Sequence, residues 1–248
     1  MAAMKAVGLI PARHAATRFP GKPLAPIAGV PMVRRVWEGA RGAHSLREVI
    51  VATDDERVAS ACRGFGARVA MTRSDHATGT DRLAEVAAGL DDEIIVNIQG
   101  DEPLVEGYVI DAAVAALAED PALAMSTVVH PADADGLDDP NRVKVVLDRS
   151  GNALYFSRSR IPHLRDPGAA PRYWQHVGIY AYRRNFLLEF VKLAPTPAER
   201  AEQLEQLRAL ENGHRIRCAV VEGWRGIPVD VPADVGRVEA RLRELGRA

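Results

Sequence analysis

The sequence predicts an α/β fold: a mixed, mostly parallel sheet flanked by helices, with a smaller β excursion. Three observations lead there. Short β-rich runs alternate with helix-spaced segments through the first half of the chain, the pattern of parallel strands joined by right-handed crossovers. That rhythm changes after His130, and the total of 248 residues suits a single covered sheet with an added excursion. The expected organisation is one domain over 1–248 with a β-rich insertion at 130–182.

Element by element, strands are expected at 5–10, 49–52, 68–71, 94–98 and 125–129. Between them, 32–41, 57–65, 81–90 and 108–118 carry apolar residues at helical spacing, with Pro31, Asp54 or Asp55, and Thr80 as helix starts. Segment 131–140 reads as a loop, and 142–147 and 153–157 flank Asp148-Arg149-Ser150-Gly151-Asn152 as a hairpin. Segment 161–172, rich in Pro, Gly and Arg, has no periodicity and reads as a mobile loop. A strand at 177–182, helices at 185–193 and 198–210, a strand at 216–221 and a helix after Pro232 complete the chain. No internal repeat or low-complexity tract occurs in the sequence.

Composition narrows the function classes. Hydrophobic residues make up 47% and charged residues 26%, a balance that supports a buried core rather than disorder. Thirty-two basic and 33 acidic side chains nearly cancel, so no broad field draws nucleic acid or an anionic membrane. Any anion must be bound locally. Cys62 and Cys218 stand far apart without metal-ligand spacing, which argues against zinc ribbons and disulfide frameworks. The apolar stretch 6–10 is too short to span a bilayer and no export signal precedes it, so a cytoplasmic protein is expected.

Three segments carry chemistry. The first strand runs into a loop from Pro11 to Pro23 that holds Arg13, Arg18, Gly21 and Lys22. Lysine supplies a compact charge and arginine a planar fork, and backbone amides beside a glycine approach an anion closely. The loop is not a Walker motif, because Pro23 follows Lys22, and the same composition suits a solvated basic link. After the third strand, Thr72-Arg73-Ser74-Asp75-His76-Ala77-Thr78-Gly79-Thr80-Asp81-Arg82 suits a loop folding over a ligand. Equally, His76 serves a local hydrogen bond and Thr80 a helix cap. The third segment is Asn97-Ile98-Gln99-Gly100-Asp101-Glu102-Pro103, where a strand ends in an amide and two carboxylates. Carboxylates there suit Mg²⁺ shared with substrate phosphates, or simply a turn. In an open parallel sheet ligands bind beyond the carboxyl ends of strands, so all three segments share one edge. Together they are equipment for a nucleoside triphosphate and its metal.

These residues resemble the bacterial 3-deoxy-manno-octulosonate (Kdo) cytidylyltransferases, a Rossmann-like family of the nucleotide-diphospho-sugar transferase type. The resemblance runs through Arg18-Phe19-Pro20-Gly21-Lys22-Pro23-Leu24, Ile50-Val51-Ala52-Thr53-Asp54, 73–85 and 96–103. It continues through Val143-Lys144-Val145-Val146-Leu147, Ala153-Leu154-Tyr155-Phe156-Ser157-Arg158, Ile161-Pro162, 176–182 and Leu204-Glu205-Gln206-Leu207-Arg208. It implies one cytidylyltransferase domain that moves CMP from CTP to Kdo, releases pyrophosphate and serves lipopolysaccharide biosynthesis. It also implies Arg13, Arg18 and Lys22 on the phosphates, Arg73 and Ser74 on cytidine, and Arg82 neutralising phosphate charge. Asp101 and Asp230 resemble the family's Mg²⁺ ligands, and Gln99, His176, Tyr180 and Glu205 its contacts to the sugar acid. A homodimer through 130–182 is implied as well.

The departures are specific. His14, Ala16, Asp81 and Gln175 stand where the family commonly has tyrosine, serine, glutamate and arginine. Pro228 and Val231 replace the glycine and threonine usually beside Asp230. Two rivals remain at the level of sequence: a cytidylyltransferase for sialic acid or 8-amino-Kdo, and a non-catalytic nucleotide-binding module on the same fold. Only the sugar pocket separates the first from a Kdo enzyme, whereas turnover with CTP separates the second.

Overall fold

The computed structural model describes residues 6–15, 19–166, 168 and 171–247. The chain divides into two compact units, Met1–Asp111 with Arg225–Ala248, and Ala112–Trp224. Along the first, β1 (Ala6–Pro11) leads through β2 (Pro26–Ile27) and β3 (Val30–Pro31) to α1 (Met32–Ala40) and β4 (Leu46–Thr53). Then come α2 (Glu56–Gly64), β5 (Arg68–Met71), α3 (Gly79–Ala88), β6 (Ile94–Asn97) and α4 (Gly107–Ala118), whose last residues belong to the second unit. The second unit continues with β7 (Met125–Pro131), β8 (Lys144–Leu147), β9 (Ala153–Ser157), β10 (Trp174–Arg183), α5 (Arg184–Phe190), α6 (Pro197–Glu202), α7 (Leu207–Glu211) and β11 (Ile216–Val220). Helix α8 (Asp234–Glu244) returns to the first.

In the first unit four strands run parallel in the order β6-β1-β4-β5. Val7, Leu9, Ile10, Ile50, Val51, Ile94, Ile95 and Val96 are all buried, as expected of strands covered on both faces. The backbone pairing carries past the strand ends: Ala12 N donates to Ala52 O at 2.9 Å and Thr72 N to Thr53 O at 2.9 Å. The loops after β1, β5 and β6 therefore leave from one carboxyl edge, as the motif reading requires. Beside this sheet, Ile27, Met32, Leu104, Val229, Val238 and Leu242 form one apolar cluster that docks α8 and the segment before it.

The second unit is mixed: β7 pairs antiparallel with β10 and parallel with β11, while β8 pairs antiparallel with β10 and β9. The expected hairpin is thus β8–β9. The two units together give the mixed, mostly parallel α/β class that the sequence predicts.

Several boundaries differ for identifiable reasons. Helix α3 starts after Thr78, not at Thr80. Thr78 has an acidic residue three positions on, and the two form a capping box: Asp81 N donates to Thr78 Oγ1 at 3.1 Å and Thr78 N to Asp81 Oδ2 at 2.8 Å. The expected helix at 198–210 is two helices, because Gln203 ends α6 with φ 53° and the chain turns through Leu204, Glu205 and Gln206 before α7. The β2–β3 hairpin was not expected; its turn holds Ala28 at φ 46° and Gly29 at φ 75°. The proposed first strand residue, Lys5, lies outside the described residues.

Candidate active site

The loop after β1 is fixed from both ends. Gly21, at φ 74°, caps the 3₁₀ turn Lys22–Leu24 and donates to His14 O at 2.9 Å, a backbone conformation that glycine adopts without strain. Lys22 then projects its ammonium to 2.8 Å from Asp101 Oδ2 and 3.7 Å from Asp230 Oδ1, with its side chain only 15% exposed. Arg13 turns the other way, donating from Nη2 to the carbonyls of His76 and Thr78, the latter at 3.0 Å, while its buried Nε makes no hydrogen bond among the described residues. Arg18 lies outside the described residues.

The strand-end carboxylates separate into two environments. Gly100 lets the segment after β6 run close to β1, since a Cβ there would stand 2.8 Å from Pro11 O. Asp101 then faces Lys22, whereas Glu102 turns inward, is 8% exposed, and leaves Oε2 without a hydrogen bond among the described residues. Burial, reinforced by the charges of Asp101 and Asp230 and opposed by Lys22, pushes the Glu102 carboxyl up to about 8. Asp230 arrives from the far end of the chain because Val229, fully buried in the apolar cluster, donates its N–H to Asp101 O at 2.9 Å. Asp234 accepts from the N–H of Asp230 at 2.9 Å and of Val231 at 3.0 Å, which holds that turn by a side chain.

A divalent cation fits this donor set in kind. Among the described residues no group of three or more His, Cys, Asp or Glu side chains could hold a metal by itself. Two carboxylates already converging on one cationic nitrogen suit a hard ion that completes its shell with phosphate oxygens and water.

The loop after β5 presents Arg73, with its side chain 69% exposed, and Ser74, also exposed, so both are open to a ligand. His76 is its buried residue, 9% exposed, and hydrogen-bonds Glu85 on α3. Arg82 sits beneath with no exposed surface, donating from Nη1 to Thr72 Oγ1, with Nη2 3.3 Å from Asp54 Oδ2. Gln99 is half-buried and makes a long 3.4 Å contact with Asn97 Oδ1. The structure therefore gathers Arg13, Lys22, Arg73, Ser74, Arg82, Gln99, Asp101 and Asp230 within the first unit. Glu85 was not singled out in the sequence, and Asp54 only as a candidate helix start. The available signal was an acidic residue one helical turn after Arg82 and another at the end of a strand.

His176, Tyr180 and Glu205 lie in the second unit. The β7–β10 register shifts between Val177 and Tyr180, a bulge stitched by Thr127, whose Oγ1 donates to Ile179 O at 2.8 Å and lies 3.0 Å from His176 Nε2. The bulge brings the His176 and Tyr180 rings to 5.3 Å, with Phe156 edge-on to His176 at 5.1 Å. Burial, assisted by His130, lowers the His176 imidazole to about 3, so it is uncharged at neutral pH. Burial and then Glu205 and Cys218 raise the Tyr180 phenol well above its ordinary range. Glu205, in the turn between α6 and α7, is 3.6 Å from Arg208 Nη2.

Comparison with known proteins gives a consistent result. A family model described as "Cytidylyltransferase" matches residues 7–216. The 3-deoxy-manno-octulosonate cytidylyltransferase of Myxococcus xanthus is 52% identical, over 99% of this chain and 100% of its own. That of Syntrophotalea carbinolica is 54% identical, over 98% and 100%. A solved structure of CMP:2-keto-3-deoxy-manno-octonic acid synthetase complexed with CTP is 44% identical, with a TM-score of 0.92 over 97% of this chain and 99% of its own.

Proposed function

The chain belongs to the 3-deoxy-manno-octulosonate cytidylyltransferase family, and from that premise we infer that it transfers CMP from CTP to Kdo, giving CMP-Kdo and pyrophosphate. The observation that carries the mechanism is Lys22 Nζ standing 2.8 Å from Asp101 Oδ2 and 3.7 Å from Asp230 Oδ1 at a strand edge. An anionic sugar acid must approach an anionic triphosphate there, which calls for positioning and charge compensation more than for a nucleophilic side chain.

In this reading Arg13, Arg18 and Lys22 take the phosphate oxygens, Arg73 and Ser74 read cytidine, and Arg82 adds positive potential from beneath the loop. Asp101 and Asp230 hold Mg²⁺, their hard oxygens being the donors that ion prefers. When bound, the ion supplies charge neutralisation on the triphosphate and acidity at the attacking hydroxyl. The sugar's 2-hydroxyl releases its proton to water and attacks the α-phosphorus in line with the departing pyrophosphate, so no side chain forms a covalent bond. Lys22 and the arginines offset the charge that accumulates on the leaving group. Gln99, His176, Tyr180 and Glu205 contact the sugar acid; the uncharged His176 and the carboxylate of Glu205 suit a ligand rich in hydroxyls.

The remaining parts of the reading have their own support. The family match at 7–216 draws on both units, in keeping with one cytidylyltransferase domain over 1–248. On β9, which pairs with β8, Leu154 is 60% and Tyr155 38% exposed, a surface suited to homodimerisation through 130–182. Both cysteines are free and buried, and no helix among the described residues is long and apolar enough to cross a membrane; both fit a cytoplasmic enzyme of lipopolysaccharide biosynthesis. The test is pyrophosphate release by the purified protein, which requires CTP, Mg²⁺ and Kdo together. Release that persists without a sugar acid, or that never exceeds background, contradicts the reading.

A further inference from the structure

We propose that Glu85 is a positioning residue for nucleotide choice: from α3 it fixes the loop that presents Arg73 and Ser74, and so sets the discrimination of cytidine from uridine triphosphate. The proposal rests on the reading that Arg73 and Ser74 meet cytidine. Its basis is how that loop is held. Arg73, Ser74, Asp75 and Ala77 are all exposed, and His76 between them is buried at 9%. The path of the loop is therefore decided at His76, and two groups decide it. Arg13 Nη2 donates to the carbonyl of His76 and to that of Thr78. Glu85 Oε2 accepts from His76 Nε2 and, at 3.2 Å, from the backbone N–H of Arg73.

One carboxylate oxygen thus pins both ends of the turn 73–76, and Arg73 Nε lies 3.9 Å from the same oxygen. These hydrogen bonds hold the Glu85 carboxyl below its usual range, His76 being the largest cause, as expected of an ionised acceptor with several donors. The helix beneath is itself anchored by the Thr78–Asp81 capping box. A reader of base edges must hold its donors and acceptors within a fraction of an ångström, because cytosine offers an amine donor at C4 beside an acceptor at N3 where uracil offers the reverse pair. Glu85 supplies that rigidity without touching the base.

The experiment measures binding of CTP and UTP to the full chain by calorimetry, with thermal unfolding alongside. Glu85→Ala weakens CTP about tenfold or more while UTP changes within about threefold, and the preference for CTP shrinks accordingly. Glu85→Asp keeps the charge and leaves no large void but withdraws the carboxylate by one methylene, so it repeats the loss. Glu85→Gln, which retains an acceptor at the same reach, restores most of the preference. Arg73→Ala and Ser74→Ala are the reference arm. If they lower the CTP preference and Glu85→Asp does not, Glu85 is not the positioning residue and the cytidine reading stands. Equal losses for CTP and UTP in the Glu85 variants reduce its role to general stability and overturn the proposal. If Arg73→Ala and Ser74→Ala leave the preference intact, the loop does not read the base, and the proposal fails with that reading.

Discussion

The backbone N–H of Val229 donates to the carbonyl of Asp101 at 2.9 Å, joining the segment before α8 to the end of β6. Asp230 thereby stands across Lys22 from Asp101, and the carboxylates share one ammonium. The register is held by burial, since the Val229 side chain is fully enclosed in the cluster with Ile27, Met32 and Leu242.

Asp101→Asn and Asp230→Asn are therefore expected to leave the fold intact and to lower kcat by roughly a hundredfold or more, because each removes a preorganised charge rather than a packing group. Steady-state kinetics at saturating Mg²⁺, with a melting curve, checks this. A near-normal kcat for Asp230→Asn returns that residue to a purely structural role.

Lys22→Met removes the cation between the two carboxylates. The expected outcome is a rise of roughly tenfold or more in the dissociation constant for CTP, with the KM for Kdo much less affected. Calorimetry with CTP alone beside kinetics in Kdo separates the two substrates. A variant in which only the sugar KM rises assigns the loop to the other substrate.

Arg82 bears on stability as well as charge. It is fully buried and faces Asp54 at 3.3 Å, so Arg82→Met strands a carboxylate and the Thr72 hydroxyl. A loss of about 3 kcal/mol in urea unfolding is expected, as for other ion pairs broken by removing one partner. Wild-type stability in that variant places Arg82 outside the framework of the loop.

His176 gives a pH signature. Its pKa falls from 6.5 to about 3 on folding, so the unfolded chain binds the additional proton between those values. Its contribution to stability is complete above pH 6.5 and is lost progressively as pH falls toward about 3. In His176→Asn the melting temperature should fall less steeply over that window than in the wild type. Parallel slopes contradict an uncharged, buried imidazole.

Much of this was legible in the sequence, in proportion to how local each cause is. The parallel strands and their helices follow from apolar runs and helical spacing, and the strand-end rule then gathers the Arg13–Lys22 loop, the Arg73 loop and Asp101. Asp230 was legible only through family resemblance, because its place depends on Val229 finding a distant cluster. The break at Gln203 and the turn at Ala28 escaped, since both put non-glycine residues at positive φ, which residue identity alone does not announce. The separation of Glu102 from Asp101 escaped too: adjacent carboxylates look alike in sequence, and only packing buries one of them.

CMP transfer to Kdo is read out by pyrophosphate release from the wild-type protein with CTP and Mg²⁺ across Kdo, 8-amino-Kdo and sialic acid. Kdo is expected to give the highest kcat/KM, together with CMP-Kdo in equal amount to the pyrophosphate. A clear preference for either of the other acids, or pyrophosphate formed without a CMP-sugar product, contradicts it.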